Sequence, residues 1–150
     1  MIVRTPTFQD YDRIMELLIE MANYNELSEL QDPKYNDKYI RNLLTECLKI
    51  GIIYVGEYKD NIEGIIIGLP MPNIWLHDVV WMKEIAFWVS DTAKYSSLGA
   101  RLLQHYKKKA LEMKKRGQID NFVMTSLEKS PVDYEKHGFV KLETNYSWSK

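Results

Sequence analysis

The sequence predicts a mixed α/β (α+β) fold, in which one twisted sheet of about six or seven strands carries helices on both faces. Strand-like and helical patterns follow one another in the order β-α-α-β-β-β-α-β-α-β-β. The second, third and fourth strands are joined by short connections, which favours an antiparallel meander. The strand, helix and strand that come next require a parallel, right-handed crossover. The sheet is therefore predicted to be mixed.

The N-terminal half is predicted to form a strand, two amphipathic helices and a β-hairpin. Thr7 precedes the first helix, and Asp10 lies three residues further on, as in a capping pair. The glycines of the second hairpin strand, IEGIIIGL, suggest a bulge or a close backbone approach. The predicted elements are a strand at Ile2–Arg4, a helix ending near Asn23, a loop over 24–37, a helix over about Asp37–Ile50 ended by Gly51, and strands at Ile52–Tyr58 and 62–69.

The C-terminal half is organised around a buried strand and a long lysine-rich helix. The strand KEIAFWVS covers 83–90, and the strand-like VVWM before it extends the prediction back to Val79. A polar connector leads to a helix that begins at Leu98 and ends at Gly117. The remaining predicted elements are a strand at 120–126, a short helix at 131–136 capped by Ser130, and strands at 139–142 and 146–148.

The composition predicts one globular domain over residues 1–150. The chain is 45% apolar and 27% charged, with a formal net charge of −1. That charge argues against nucleic acid or an anionic membrane as a partner, and no apolar run is long enough for a membrane span. Cys47 is the only cysteine, and Met1 leads directly into a strand without a signal-like segment, so we expect a cytoplasmic protein. The histidines are scattered singly, so we expect no metal site.

The connector between the buried strand and the long helix is a candidate anion site. The first N–H groups of a helix have no intrahelical partner, and they point at whatever lies before the helix. Small residues in the connector, such as Ser96 and Ser97, would let a phosphate approach the backbone. The pattern therefore suggests a phosphate-bearing cofactor.

Two segments resemble motifs of the GCN5-related N-acetyltransferase (GNAT) superfamily, and with the element order the resemblance covers essentially the whole chain. KYSSLGA, residues 94–100, lies where the family has its Q/R-x-x-G-x-G/A pyrophosphate loop. Here Lys94 replaces Gln or Arg and Ser97 replaces the first glycine, whereas Gly99 is retained. YEKHGF, residues 134–139, resembles the family's Y-E-K-x-G-F segment. The small size is similar to that of compact bacterial and phage members.

The resemblance implies that acetyl-CoA is the acyl donor and that no metal takes part. The pantetheine amide would pair with the backbone of the central strand, and the pyrophosphate would lie at the start of the long helix. Ser126 stands near the position after the fifth strand where family members often have Asn. The residues expected to bind the cofactor are Trp88, Val89, Ser90, Lys94, Tyr95, Ser96, Ser97, Leu98, Gly99, Ala100 and Ser126.

Glu84 is the candidate general base, because several family members place a catalytic Glu at the start of this strand. Strict strand alternation would put it on the same side as Ala86, Trp88 and Ser90. Flanking apolar residues should raise its pKa by desolvation, which suits a base that works near neutral pH. The alternatives are a strand-end Glu84 paired with a lysine such as Lys83, and no fixed base.

Tyr134 is the candidate general acid for the departing thiolate, by its position in YEKHGF. The alternative is a tyrosine that anchors the short helix to the core. We expect the acceptor to contact Trp75, His77 and Tyr35, which lie in the two segments that shape the acceptor pocket in this fold. His77 is also an alternative base.

The function expected from the resemblance is transfer of an acetyl group from acetyl-CoA to a primary amine, in a small molecule or a peptide, through a direct ternary complex. The alternative is a GNAT-fold binding or regulatory module that no longer catalyses, which the loss of a loop glycine would favour. Modification of nucleic acid is the weakest hypothesis because the net charge is close to zero. A homodimer is left open.

Overall fold

The structure, a computed structural model, describes residues 1–25, 37–127, 129, 131–146 and 148. Short 3-10 turns lie at Phe8–Asp10 and Glu135–His137. The helices and strands of the described residues are β1 (Ile2–Arg4), α1 (Tyr11–Tyr24), α2 (Asp37–Ile50), β2 (Ile52–Tyr58), β3 (Asn61–Pro72), β4 (Val80–Val89), α3 (Leu98–Lys115) and β5 (Asn121–Val123). None of these helices is both long and apolar enough to cross a membrane.

The strands form one mixed sheet in the order β1-β2-β3-β4-β5. Each pair from β1 to β4 is antiparallel, and β5 pairs in parallel with β4 after the crossover through α3. The predicted meander and crossover are therefore confirmed. The described residues form five strands, fewer than the six or seven that the sequence predicts.

The missing strands belong to the C-terminal segment. Residues 139–142, 146 and 148 form no strand, and Val140 and Trp148 are 82% and 94% exposed. Strand β5 is also shorter than the predicted 120–126, and the predicted helix at 131–136 is reduced to the 3-10 turn. The patterns express local β propensity, whereas a strand forms only where a partner strand is in reach. Ser130, the predicted cap, lies outside the described residues.

Helices cover both faces of the sheet, as predicted. On one face α1 and α2 bury an apolar stripe that includes Ile14, Leu17 and Leu44. On the other face α3 does the same with residues such as Leu102 and Tyr106. The Asp10 carboxylate accepts the Thr7 N–H at 2.7 Å, so the predicted capping pair is also confirmed.

A β-bulge in β4 decides which face the central side chains occupy. Ile67 pairs with Ala86, whereas Gly68 pairs with Glu84, so Ile85 is the extra residue. Ile85 and Ala86 consequently both belong to the α1–α2 side of the core.

The prediction that Glu84 lies on the same side of β4 as Ala86 and Trp88 is therefore wrong. Glu84 acts electrostatically on Tyr106 and Tyr134, which both belong to the α3 side, whereas Trp88 packs with the α1–α2 side. The alternation that would group Glu84 with Trp88 fails because the bulge inserts one residue between them.

Candidate active site

Strands β4 and β5 separate after a short parallel pairing, and the gap between them is the candidate site. Trp81 pairs with Asn121 and Lys83 with Val123, and β5 ends there. Strand β4 continues to Val89, so in the described chain its edge over 84–89 has no strand beside it on the β5 side. We call this opening the wedge. Unpaired backbone groups along such an edge can bind an extended ligand.

Glu84 lies where the wedge begins. Its carboxylate oxygen Oε2 accepts the backbone N–H of Thr125 at 3.0 Å, which links the two strands just past the point where they separate. The side chain is buried, at 8% exposure for the residue. Burial raises the pKa of Glu84 from its ordinary 4.5 to about 7, against the opposing effect of the Thr125 hydrogen bond.

The alternative of a paired strand-end glutamate does not describe Glu84. Within the described residues neither lysine nor arginine forms an ion pair with it, and Lys83 is exposed to solvent. The carboxyl group is therefore desolvated without a compensating cation. Such a group can hold or release a proton near neutral pH, as a general base must.

Tyr134 lies on the α3 side of the wedge, near Glu84. Burial, followed by the nearby Glu84 charge, raises the pKa of its hydroxyl, so Tyr134 stays protonated at neutral pH. The turn that carries it is held on α3, because the Lys107 ammonium donates to the His137 carbonyl at 2.5 Å. The Tyr134 ring also packs edge-on against the Phe139 ring, with 5.7 Å between the ring centroids. The structure thus brings Glu84 and Tyr134, the predicted base and acid, into one neighbourhood.

The start of α3 presents free backbone donors. The Leu98 N–H donates to the Ser96 hydroxyl at 3.1 Å and the Ser96 N–H to the Ala93 carbonyl at 2.9 Å, so neither is available. The N–H groups of Gly99 and Ala100 have no partner within the described part of the chain. No acidic residue lies in the first turn. This end of the helix is therefore electropositive and can accept an anion.

One cationic side chain lies in the first turn of α3 and another in the connector before it. Arg101 in the first turn donates through Nε to the Ser97 hydroxyl at 3.3 Å. The predicted phosphate partner Lys94 is exposed and pairs with Asp91 at 3.0 Å, which raises the pKa of its ammonium group. Tyr95 is also exposed, with the Lys94 ammonium 5.2 Å from its ring centre.

Other predicted cofactor residues have structural roles. The Leu98 side chain is fully buried against Gly56, so only its backbone faces the connector. Ser90 is buried as well, because its N–H donates to the Glu63 carbonyl at 2.8 Å and its hydroxyl to the Glu63 carboxylate. Val89 lies beside Gly99. Ser126 is exposed and follows the residue whose N–H holds Glu84.

Glu63 is a site residue that the sequence does not reveal. It binds Ser90 at the end of β4, and the Arg13 guanidinium of α1 pairs with the Glu63 carboxylate at 3.0 Å. The two contacts join residues that are 27 and 50 positions apart along the chain, so no local pattern contains them. They anchor the start of the connector that leads to α3.

The predicted acceptor residues are not brought to the wedge. Trp75 is 86% exposed and His77 is exposed in the loop before β4, at the opposite end of the strand from the opening. Tyr35 lies outside the described residues. A cleft of about 360 Å³ instead lies between α1 and the end of β4, where the Tyr24 and Trp88 rings are 5.1 Å apart. Among the described residues no group of His, Cys, Asp or Glu side chains is arranged to hold a metal ion.

The buried carboxyl group predicts a pH-dependent change in stability on Glu84→Gln. Because the pKa of Glu84 is raised in the folded state, the contribution of Glu84 to wild-type stability should fall as the pH rises from about 4.5 to about 7 and then level off. The neutral amide avoids this penalty, which corresponds to about 3 kcal/mol. Urea unfolding should show the variant more stable than wild type by up to that amount at alkaline pH, and similar to it at the acidic end. The exposed Glu46→Gln is the control; an equal difference at both ends would contradict a buried, desolvated Glu84.

Comparison with known proteins found similarity in fold but not in sequence family. No family model matches the chain, and no curated protein matches it. Among solved structures, it is similar to a possible acetyltransferase from Clostridium difficile 630, with a TM-score of 0.74 and 18% identity over 99% of this chain and 96% of that one.

Two further solved structures carry ligands. A predicted acetyltransferase from Clostridium acetobutylicum, solved with acetyl-CoA, has a TM-score of 0.72 and 10% identity over 99% of this chain and 95% of that one. An aminoglycoside acetyltransferase from an uncultured soil metagenomic sample, solved with sisomicin, has a TM-score of 0.66 and 8% identity over 99% and 95%. The chain therefore has the fold of these acetyltransferases, and the fold implied by the resemblance to the GNAT superfamily is confirmed.

Proposed function

We propose that this chain is an N-acyltransferase of the GNAT superfamily, which transfers an acetyl group from acetyl-CoA to a primary amine in a direct ternary complex. The observation that carries the proposal is the buried Glu84 carboxyl, with a pKa of about 7, at the wedge of an acetyltransferase fold. A carboxyl group without a cation partner costs stability, and such groups cluster at catalytic sites.

The residues present fit acetyl-CoA. The diphosphate would lie on the N–H groups of Gly99 and Ala100, close to the Arg101 and Lys94 side chains. The extended pantetheine would hydrogen-bond along the open edge of β4 in the wedge. Bound there, acetyl-CoA would supply an acetyl group activated as a thioester.

Glu84 would remove a proton from the amine. An alkylamine is largely protonated at neutral pH and attacks only as the free base. A carboxylate with a pKa of about 7 is ionised in a large fraction of molecules at that pH and takes the proton readily. After the transfer the neutral carboxylic acid is the form that the buried site favours, so burial helps this step.

Tyr134 would give a proton to the departing sulfur. Its hydroxyl stays protonated because burial and the Glu84 charge raise its pKa. The contacts from Lys107 and Phe139 hold the turn that carries it, so the donor is kept in place before reaction. In the overall reaction the N–C bond forms and the C–S bond breaks. Of the two protons that the ammonium group loses, one would leave through Glu84 to solvent, and the other would replace the proton that Tyr134 gives to the thiol.

The cleft beside α1 lies on the α1–α2 side of the sheet, whereas the Glu84 side chain faces α3, so the cleft would hold the part of a cationic acceptor that is remote from the reacting nitrogen. The rings of Tyr24 and Trp88 line the cleft together with the carboxylates of Glu20 and Asp91. Aromatic faces and carboxylates suit a cationic amine, and one neighbour in fold is an aminoglycoside acetyltransferase solved in complex with sisomicin. Trp75 and His77 stay predictions, since their loop is at the other end of β4.

Ser97→Asp tests the diphosphate site without depending on turnover. An aspartate at the start of α3 interacts favourably with the helix dipole, so the variant without ligand should be at least as stable as wild type. The same charge should repel the diphosphate and weaken acetyl-CoA binding about tenfold or more. Thermal unfolding with and without acetyl-CoA measures both effects, because ligand at a hundred times its dissociation constant adds about 2.7 kcal/mol.

Ser97→Asn is the matched neutral control and should keep most of the acetyl-CoA stabilisation. Equal stabilisation of the Asp and Asn variants would place the diphosphate elsewhere. If acetyl-CoA stabilises neither variant nor wild type, the chain is the non-catalytic binding module that the altered loop would favour.

Tyr134→Phe tests the general acid. The ring contact with Phe139 is retained and only the proton donor is lost, so kcat should fall by about a hundredfold while KM for acetyl-CoA changes little. Thiol release with an amine acceptor measures the rate. Tyr54→Phe, which alters a tyrosine on another part of the sheet, should leave kcat unchanged. A Tyr134→Phe rate equal to that of wild type would remove Tyr134 from the mechanism.

A further inference from the structure

The Tyr106 hydroxyl is a buried polar group without a hydrogen-bond partner. Tyr106 lies on α3, is 0% exposed, and carries the one buried side-chain oxygen or nitrogen of the described residues that has no partner. Such a group costs about 1–3 kcal/mol, and a phenylalanine would avoid the penalty. An unsatisfied hydroxyl in a well-packed core therefore calls for an explanation.

The backbone of β3 leaves space for the Tyr106 hydroxyl next to Glu84. Tyr106 packs against Gly68, where an added Cβ would come within 2.8 Å of the ring carbon Cε2. Gly68 is the residue of β3 that pairs with Glu84, at the bulge. A glycine at this point lets the phenol ring press onto the sheet beside the carboxyl group.

We propose that Tyr106 is a positioning residue, whose hydroxyl donates a hydrogen bond to the Glu84 carboxylate when that group is ionised. Oxygen Oε2 of Glu84 is held by the Thr125 N–H, whereas Oε1 has no donor among the described residues. A hydroxyl can also accept, so the same group serves the protonated carboxylic acid. Tyr106 would thus hold Glu84 in place in both protonation states.

The titratable groups around Glu84 and Tyr106 are few, and in the described residues none of them is a cation. Glu84 is faced by Tyr106 from α3, by Tyr134 from the turn after β5 and by the Thr125 backbone. Cys47 on α2 is the remaining titratable group that acts on Tyr106, and burial raises the pKa of its thiol to about 11, so it is neutral at physiological pH. Lysine, arginine and histidine side chains of the described residues do not contribute to the Glu84 titration.

The inference rests on the proposed function, because it assigns Tyr106 to the base of that reaction, but part of its test is independent of activity. A hydrogen bond to a charged group is worth roughly twice one to a neutral group. Removing the hydroxyl should therefore disfavour the ionised carboxylate more than the neutral acid. The expected shift is about one pH unit towards alkaline pH for Glu84.

The experiment compares Tyr106→Phe with wild type by urea unfolding at about pH 5 and about pH 8.5, and repeats the comparison in a Glu84→Gln background. In the wild-type background the urea midpoint of Tyr106→Phe should fall between the two pH values by more than that of wild type. In the Glu84→Gln background this extra fall should disappear. Tyr54→Phe is the control for loss of a tyrosine hydroxyl away from Glu84 and should show no extra fall.

Activity supplies the second measurement. The acidic limb of the kcat/KM profile should move by about one pH unit to alkaline pH in Tyr106→Phe. If wild type is inactive but the urea midpoints behave as described, the positioning role stands and the proposed function fails. The inference is overturned if Tyr106→Phe shifts the urea midpoint from the wild-type value by the same amount at both pH values, and the acidic limb of an active enzyme does not move. The hydroxyl would then affect packing only.

Discussion

The parting of β4 from β5 after Lys83 is the constraint on which the rest of the site depends. A sheet edge inside a protein normally finds a partner strand, because unpaired backbone groups are costly when they leave water. Here β5 ends at Val123, and the Thr125 N–H that follows turns to the Glu84 carboxylate. Had β5 continued, it would have covered the edge of β4, and no extended ligand could have reached the carboxyl group.

Two local departures from regular strand geometry complete this arrangement. The bulge at Ile85 puts Ala86 and Trp88 on the side of the sheet opposite to Glu84, which faces α3, and Gly68 leaves room for the Tyr106 ring beside Glu84. Glu84 is consequently buried among phenol rings and backbone, without a cation, and its pKa rises to about 7. The structure tolerates this loss of stability at the place where a proton acceptor would be useful.

Sequence patterns predicted the elements best where a strong periodicity ended at a clear stop signal. Helix α2 covers Asp37–Ile50, as predicted from its apolar stripe and from Gly51, and α3 begins at Leu98. The described residues of the predicted strands at 139–142 and 146–148 form no strand, because strand formation depends on a partner that local sequence does not contain.

Local sequence also indicated some properties of the candidate site residues, whose roles stay predictions. The flanking apolar residues correctly indicated a raised pKa for Glu84, and the GNAT-like segment pointed to Tyr134 beside it. The bulge that sets the side of Glu84 comes from the pairing of two strands, so strict alternation gave the wrong face. Tyr106 lies among the apolar core residues of α3, and its contact with Gly68 beside Glu84 arises only when the helix packs on the sheet, so local sequence does not reveal it.

Titration of the Glu84 carboxyl group by NMR, with carbon-13-labelled glutamate and Glu84→Gln to assign the resonance, tests the central claim most directly. The wedge and its uncompensated burial predict a midpoint near pH 7 in the free protein. A midpoint near the ordinary value of 4.5 would mean that solvent or a cation reaches the carboxylate. In that case neither the proposed base nor the site built around it would stand.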